Sequence, residues 1–322
     1  MIQQRESNTT IADGEHCPQP TWGYEPLVFQ VFGCLCITLA LGTVIINVVA
    51  IKWVVQAPKL KKPTRFLLAS LAVCDISEGA LVMPFRIAGM VSNALDIKYT
   101  TVCDIGNSFD MCVCILSIFI MCLLVLDRCV ALSKPFKYHL ICTTCKFCFS
   151  FIIMLIISFI ASFVPIMKHW HIDGISIIYE CILRITGSCQ YLANRPYSLT
   201  FSLIAFVVPS IFMLICNIIT MWAADNRRRV FDNLLHITTK RGSLNRRHIG
   251  SKLARTVVNL SFWKIMCWTP FFTVNVLEPF LSHAVPRYIW TLVTWLGYAH
   301  SALNPYLYLK ATSFIFPRFF NK

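Results

Sequence analysis

The sequence predicts an all-α membrane protein: a bundle of seven transmembrane helices with its N-terminus outside. Three observations predict it. Of 322 residues, 57% are hydrophobic and only 14% charged, far below the quarter usual in soluble domains. Seven apolar stretches have the roughly 20 residues needed to cross about 30 Å of hydrocarbon. Lys and Arg gather in alternate loops, the mark of the cytoplasmic side.

The spans follow in order. The first covers Leu27–Val54 and carries Asn47. Its polar forerunner, Met1 to Pro26, lacks the charged, apolar, small-residue order of a cleaved leader. The first span is therefore expected to act as an uncleaved signal anchor. Lys59, Lys61, Lys62 and Arg65 make the next loop cytoplasmic. The second span covers Phe66–Ser92, with Asp75 and Pro84, and the third Val102–Ala131. Lys134, Lys137 and Lys146 follow on the inside, then the fourth span, Phe147–Met167. A long outer loop, Lys168–Tyr197, leads to the fifth span, Ser198–Trp222. The inner loop Ala223–Thr256 is strongly basic. The sixth span covers Val257–Leu281 and the seventh Tyr288–Leu309. The chain thus divides into an outer tail (1–26), a seven-helix domain (27–309) and a short inner segment (310–322).

The net charge of +14 reflects this bias and attracts anionic inner-leaflet lipid; it does not point to nucleic acid. Of sixteen cysteines, Cys17, Cys103, Cys181 and Cys189 fall on the outer side, where disulfides persist. Four cysteines allow three pairings. Asn8-Thr9-Thr10 is an N-glycosylation sequon on the outer tail. No internal repeat or matching pair of broken spans of the transporter kind is present, and no nucleophile–base pair or metal-ligand set marks an enzyme.

Asp110 is the residue that needs a reason. It lies alone in the run Ser108-Phe109-Asp110-Met111-Cys112-Val113-Cys114. A charge at membrane depth costs about 2.5–3.5 kcal/mol on insertion scales, and such residues mark functional sites. Eighteen residues later the run ends at Arg128, preceded by Asp127. Helical spacing puts Asp110, Met111, Cys114 and Ser117 near one face. Trp268, Phe271 and Phe272 share a face of the sixth span at i, i+3 and i+4. An aromatic packing stripe is the bland account of those rings. Beside Asp110 they form a cage for an ammonium, each ring adding about 0.5–2 kcal/mol of cation–π attraction.

The chain resembles a class A (rhodopsin-like) G-protein-coupled receptor over nearly its whole length. The resemblance rests on Asn47 in its Gly42–Val49 setting, Leu71-Ala72-Val73-Cys74-Asp75, Asp127-Arg128-Cys129 with Pro135-Phe136 following, Pro209, Cys267-Trp268-Thr269-Pro270, and Asn304-Pro305-Tyr306-Leu307-Tyr308. Within that class it is similar to the aminergic branch. Asp110 stands seven residues after Cys103, Val82-Met83-Pro84-Phe85 ends the second span, and Trp295, Gly297 and Tyr298 precede the seventh-span motif. The outer cysteines and the short third inner loop make it most like a trace-amine-associated receptor; the histamine and serotonin receptors are the alternative. An amine transporter or channel is the non-receptor alternative, distinguished by amine flux without G protein.

The resemblance implies a multi-pass plasma-membrane protein that takes a protonated amine on Asp110 and activates a heterotrimeric G protein, raising cAMP in the manner of olfactory trace-amine receptors. Met111, Cys114, Phe201, Ser202, Trp268, Phe271, Phe272, Trp295 and Tyr298 would line the ligand site, with Tyr298 orienting Asp110. With only Ser202 offering a fifth-span hydroxyl, the lining disfavours a catecholamine. Glu278 and Glu180, nearer the mouth, are expected to be solvated loop charges, or to meet a second amine of a polyamine. Asn47, Asp75, Ser117, Asn304 and Tyr308 would form a polar cluster able to hold an allosteric sodium ion; no other cofactor is implied. Asp127 and Arg128 would pair at rest, and Pro135 and Phe136 would face the G protein. The implied disulfides are Cys103–Cys189 and Cys17–Cys181. Cys129, Lys264, Asn217 and His300 depart from the family pattern, and Lys264 is expected to interact with the Asp75 cluster.

Overall fold

The computed structural model describes residues 26–57, 60–91, 100–186, 191–235, 241–282 and 285–312. The tail calls, including Asn8 and Cys17, lie outside these residues, as do Cys189 and most of the inner C-terminal segment. The first span is α1 (Pro26–Gln56). The second is α2 (Lys62–Ser77), a wide π-helical turn (Glu78–Val82) and α3 (Met83–Val91). The third is α4 (Thr100–Ser133), followed by the short α5 (Tyr138–Ile141). The fourth is α6 (Thr144–Met167). The fifth is α8 (Arg195–Ser202), a second π-helical turn (Leu203–Val207) and α9 (Val208–Leu235). The sixth is α10 (Arg241–Leu277) and the seventh α11 (Arg287–Thr312).

Helix α4 is the axis of the bundle. It packs against α2, α6, α9 and α10, while α1 and α11 close the ring. The most apolar stretch of α4 is 78% buried, and that of α6 only 17%. Ile152, Ile156, Phe159 and Ile160 of α6 are exposed, as lipid-facing residues are where no water competes for them. Five of the described spans are long and apolar enough to cross a membrane on composition alone. Helices α10 and α11 are as long, but α10 starts in basic sequence and both carry buried polar side chains, among them Lys264, His300, Ser301 and Asn304.

Two expectations are corrected. The basic stretch Ala223–Thr256 is not a plain loop: α9 runs to Leu235 and α10 begins at Arg241. Hydropathy locates membrane depth, whereas Ala, Arg and Leu continue a helix beyond it. The outer loop likewise contains a helix, α7 (Ser176–Thr186), preceded by a 3₁₀ turn (Trp170–Ile172). The fifth-span helix begins where Asn194 caps it, its side chain accepting from the Tyr197 amide at 3.0 Å.

The two π-helical turns have a local cause. Pro84 and Pro209 lie just after them. A proline removes an N–H and pushes against the carbonyl four residues back, and the chain widens there by one residue.

Candidate functional site

The π-helical turn before α3 rotates the end of the second span, and Phe85 and Arg86 meet α4 as a result. Phe85 lies against Gly106: a Cβ there would fall 1.9 Å from the ring. One turn further along α4, Asp110 receives Arg86. The guanidinium Nε donates to Asp110 Oδ2 at 3.0 Å and Nη2 at 2.5 Å. Tyr298 donates its hydroxyl to the same oxygen at 2.7 Å. The side chains of Arg86 and Asp110 are 15% and 7% exposed, so the pair stands at the open edge of a buried layer. Tyr298 orients Asp110 as anticipated; Arg86 was missed. Its signal was present in the sequence, an Arg two residues after Pro84 in a span whose other charges are Asp75 and Glu78.

The rings gather beneath this pair. Trp268 and Trp295 each meet Tyr298 edge-on, with centroids 6.2 and 5.5 Å apart. Trp268 meets Phe271 at 5.5 Å, and Phe272 stacks on Phe206 at 4.4 Å. Phe201 lies 6.2 Å from Phe272. Gly297 lets α11 approach α10, since a Cβ there would be 3.2 Å from the Trp268 ring. Met111 and Cys114 are buried on the same side of α4 as Asp110. The indole N–H of Trp268 is buried and finds no acceptor among the described residues.

Ser202 is not a free hydroxyl. Asn275 of α10 donates to it at 2.9 Å, and Ser198 donates to the Asn275 carbonyl at 2.5 Å. Glu278 also departs from expectation: it is buried at 6% exposure rather than solvated, because the 3₁₀ turn after α10 folds it inward. Glu180 is exposed. Cys103 and Cys181 are both disulfide-bonded; the expected partners lie outside the described residues.

A second polar layer lies deeper. Asn304 donates to Asp75 at 2.9 Å, and Asn47 to the Ser301 carbonyl at 3.0 Å. Ser301 donates to Glu78. Lys264 is buried here at 1% exposure and donates to Ser117 at 2.6 Å. Its Nζ also lies 2.8 Å from His300 Nε2. His300 Nδ1 is 2.5 Å from the Gly297 carbonyl, which only accepts, so Nδ1 carries the proton and Nε2 accepts from Lys264. Asp75, Glu78 and His300 bring one ligand atom each within 4.8 Å of one another. Asp75, Asn47, Ser117 and Asn304 are the residues expected in this layer; Glu78, Ser301 and His300 join them unexpected. The side chain of Tyr308 lies outside the described residues.

At the far end Arg128 Nε donates to Asp127 at 2.9 Å. Thr64 and Tyr138 donate to the same carboxylate at 2.8 and 2.7 Å. Lys61 stands 3.4 Å over the Tyr138 ring. Asn217 of α9 donates to Ser261 of α10 at 2.7 Å. Phe136 is 97% exposed beside Pro135.

A model of the family described as "7 transmembrane receptor (rhodopsin family)" matches residues 46–308. The chain is 29% identical over 298 residues to the 5-hydroxytryptamine receptor 4 of Homo sapiens, a match covering 88% of this chain and 76% of that one. It is 31% identical over 293 residues to the Histamine H2 receptor of Cavia porcellus (90% and 78%). It is 28% identical over 280 residues to the Trace amine-associated receptor 2 of Rattus norvegicus (86% and 78%).

Proposed function

Because the chain belongs to the rhodopsin family of seven-transmembrane receptors, with aminergic receptors among its relatives, we propose that Asp110 is the anion that receives a ligand ammonium at the outer face of a plasma-membrane receptor. The single observation that carries this is the carboxylate of Asp110, held at 2.7 Å by Tyr298, whose ring meets those of Trp268 and Trp295. A desolvated ion pair is tolerable only when both charges meet and remaining hydrogen bonds are satisfied. The rings supply the cation–π and apolar contacts an amine needs.

The Cys103 end faces outward and the Arg128 end the cytoplasm, following the Lys and Arg bias. Arg128, held by Asp127, is the resting half of a switch. Movement of α10 about Pro270 releases Arg128 toward a heterotrimeric G protein, with Pro135 and the exposed Phe136 as further contacts. The outer and inner sites are then coupled through one two-state element. The coupled pathway is stimulation of adenylyl cyclase.

Asp75 and Glu78 offer oxygens of the type that hard cations choose, while His300 Nε2 is already engaged by Lys264. Lys264 supplies one positive charge beside the two acids from the chain itself, so a sodium ion would join a cation already present.

Within the aminergic class the trace-amine type is favoured by the outer cysteines, and its ligand is a small amine with an apolar body. The engagement of Ser202 by Asn275 weakens the case for a catechol further. A histamine- or serotonin-type ligand is the second reading, favoured by the similarity to those receptors. The test is a cAMP screen of monoamines, diamines and polyamines on cells expressing the chain, with Asp110→Ala alongside. Responses lost with Asp110→Ala at equal surface expression support the assignment; responses that survive overturn it.

A further inference from the structure

The geometry points to an amphoteric ligand: an amino acid with an apolar side chain, whose ammonium meets Asp110 and whose carboxylate meets Arg86. The inference rests on the assignment of Asp110 as the ammonium anchor. It begins from Arg86, which the amine scheme leaves without a task. Arg86 Nε and Nη2 lie 3.0 and 2.5 Å from Asp110 Oδ2, and guanidinium stays charged at any pH the protein meets. The oxygen that an ammonium would take is therefore already in contact with a cation and with the Tyr298 hydroxyl.

A ligand bearing only an ammonium has to part this pair and leave the guanidinium without an anion. Stranding one member of a desolvated pair is costly. The neighbouring acids offer no replacement. Asp104 faces His169 at 3.9 Å, and the described salt bridge of Arg86 is with Asp110 alone. Glu78 accepts from Ser301, and Glu278 is hydrogen-bonded to Trp290.

A ligand with a carboxylate on the carbon next to its ammonium solves both problems. The ammonium faces Asp110, the carboxylate faces Arg86, and four charges alternate in sign with none unpaired. The planar guanidinium fork suits a carboxylate, which it can hold through two parallel hydrogen bonds. The body of such a ligand then lies on Trp268, Phe271 and Phe272, all buried. With Ser202 engaged by Asn275, the wall offers an apolar or aromatic side chain more than a hydroxylated one.

The test uses the full-length receptor and a matched pair of probes, phenylalanine and phenethylamine, which differ by the carboxylate alone. Potency in the cAMP assay and the thermal shift of purified receptor are read for both. The expected result is a wild type in which phenylalanine is at least tenfold more potent. Arg86→Gln reverses the order, weakening phenylalanine about tenfold or more and strengthening phenethylamine; Arg86→Lys, which keeps the charge but not the fork, lies between. A wild type that prefers phenethylamine, with Arg86→Gln leaving the ratio unchanged, overturns the inference, as does absence of a thermal shift with phenylalanine at millimolar concentration. Asp110→Asn separates the two levels. If Asp110→Asn spares phenethylamine responses, the ammonium anchor itself is misassigned. If it abolishes them while Arg86→Gln changes nothing, the anchor stands and the carboxylate contact fails.

Discussion

Lys264 donates to Ser117 at 2.6 Å from the opposite side of the bundle, joining α10 to α4 at the level of Asp75 and Glu78. Lys264 thereby sets one fixed ammonium where the family resemblance would put a mobile cation. Replacing external sodium by potassium is therefore expected to leave agonist potency of the wild type unchanged. In Lys264→Met the acids lose that charge, and sodium is expected to shift potency several-fold. Concentration–response curves in the two salts, with basal cAMP recorded in each, check this. An unchanged Lys264→Met overturns it.

Tyr298 gives Asp110 a charge-assisted hydrogen bond, a type worth about 1.5–3 kcal/mol. Tyr298→Phe keeps the ring contacts with Trp268 and Trp295 and deletes only the hydroxyl. Agonist potency is expected to fall by about tenfold or more at unchanged surface expression, read in the same cAMP assay. Basal output should hardly move.

Asn217 and Ser261 tie α9 to α10 near the Arg128 end by a 2.7 Å hydrogen bond. A buried neutral bond of this type contributes about 1 kcal/mol, and here it holds α10 inward. Asn217→Ala is expected to raise ligand-free cAMP about fivefold. Ser261→Ala should do the same, and the double variant no more than either, as for partners in one bond.

His171 lies outside the spans, in the turn before α7. Burial lowers its pKa to about 4 from the ordinary histidine value of 6.5, and its ring stacks on Tyr191 at 6.2 Å. The unfolded chain binds the proton more readily, so stability is lost as pH falls from 6.5 towards about 4. The Tm of solubilised receptor should drop across that window, and His171→Phe should flatten the drop. Above pH 6.5 the group contributes no slope.

Most of the spans were legible because membrane depth imposes one rule, about 20 apolar residues; the sixth and seventh follow it less strictly, with Lys264, His300, Ser301 and Asn304 in them. Asp110 with Tyr298, and Asp75 with Asn304, were legible because a polar group in such a run needs a stated reason. Arg86 was not, for a geometric cause. An even count of 3.6 residues per turn from Asp75 ignores the extra residue in the turn Glu78–Val82, and that residue turns Arg86 toward α4. Gly106 completes the arrangement by leaving room for Phe85. Glu78 falls under the same rule as Asp75 and went unread beside it; Ser301 was hidden because a lone Ser shows nothing until the helices meet. Glu278 read as a mouth charge because sequence distance from a span does not show whether the next turn folds in or out.

The contact between Arg86 and Asp110 also bears on how the chain is made. A nascent receptor crosses the bilayer long before it encounters any ligand, and a bare carboxylate at that depth would favour partial insertion and retention by quality control. Here the second and third spans supply each other's countercharge as soon as they pack together, and the seventh adds Tyr298 last. The empty receptor is thus expected to mature without a chemical chaperone, and a ligand would arrive at a carboxylate already paired with Arg86.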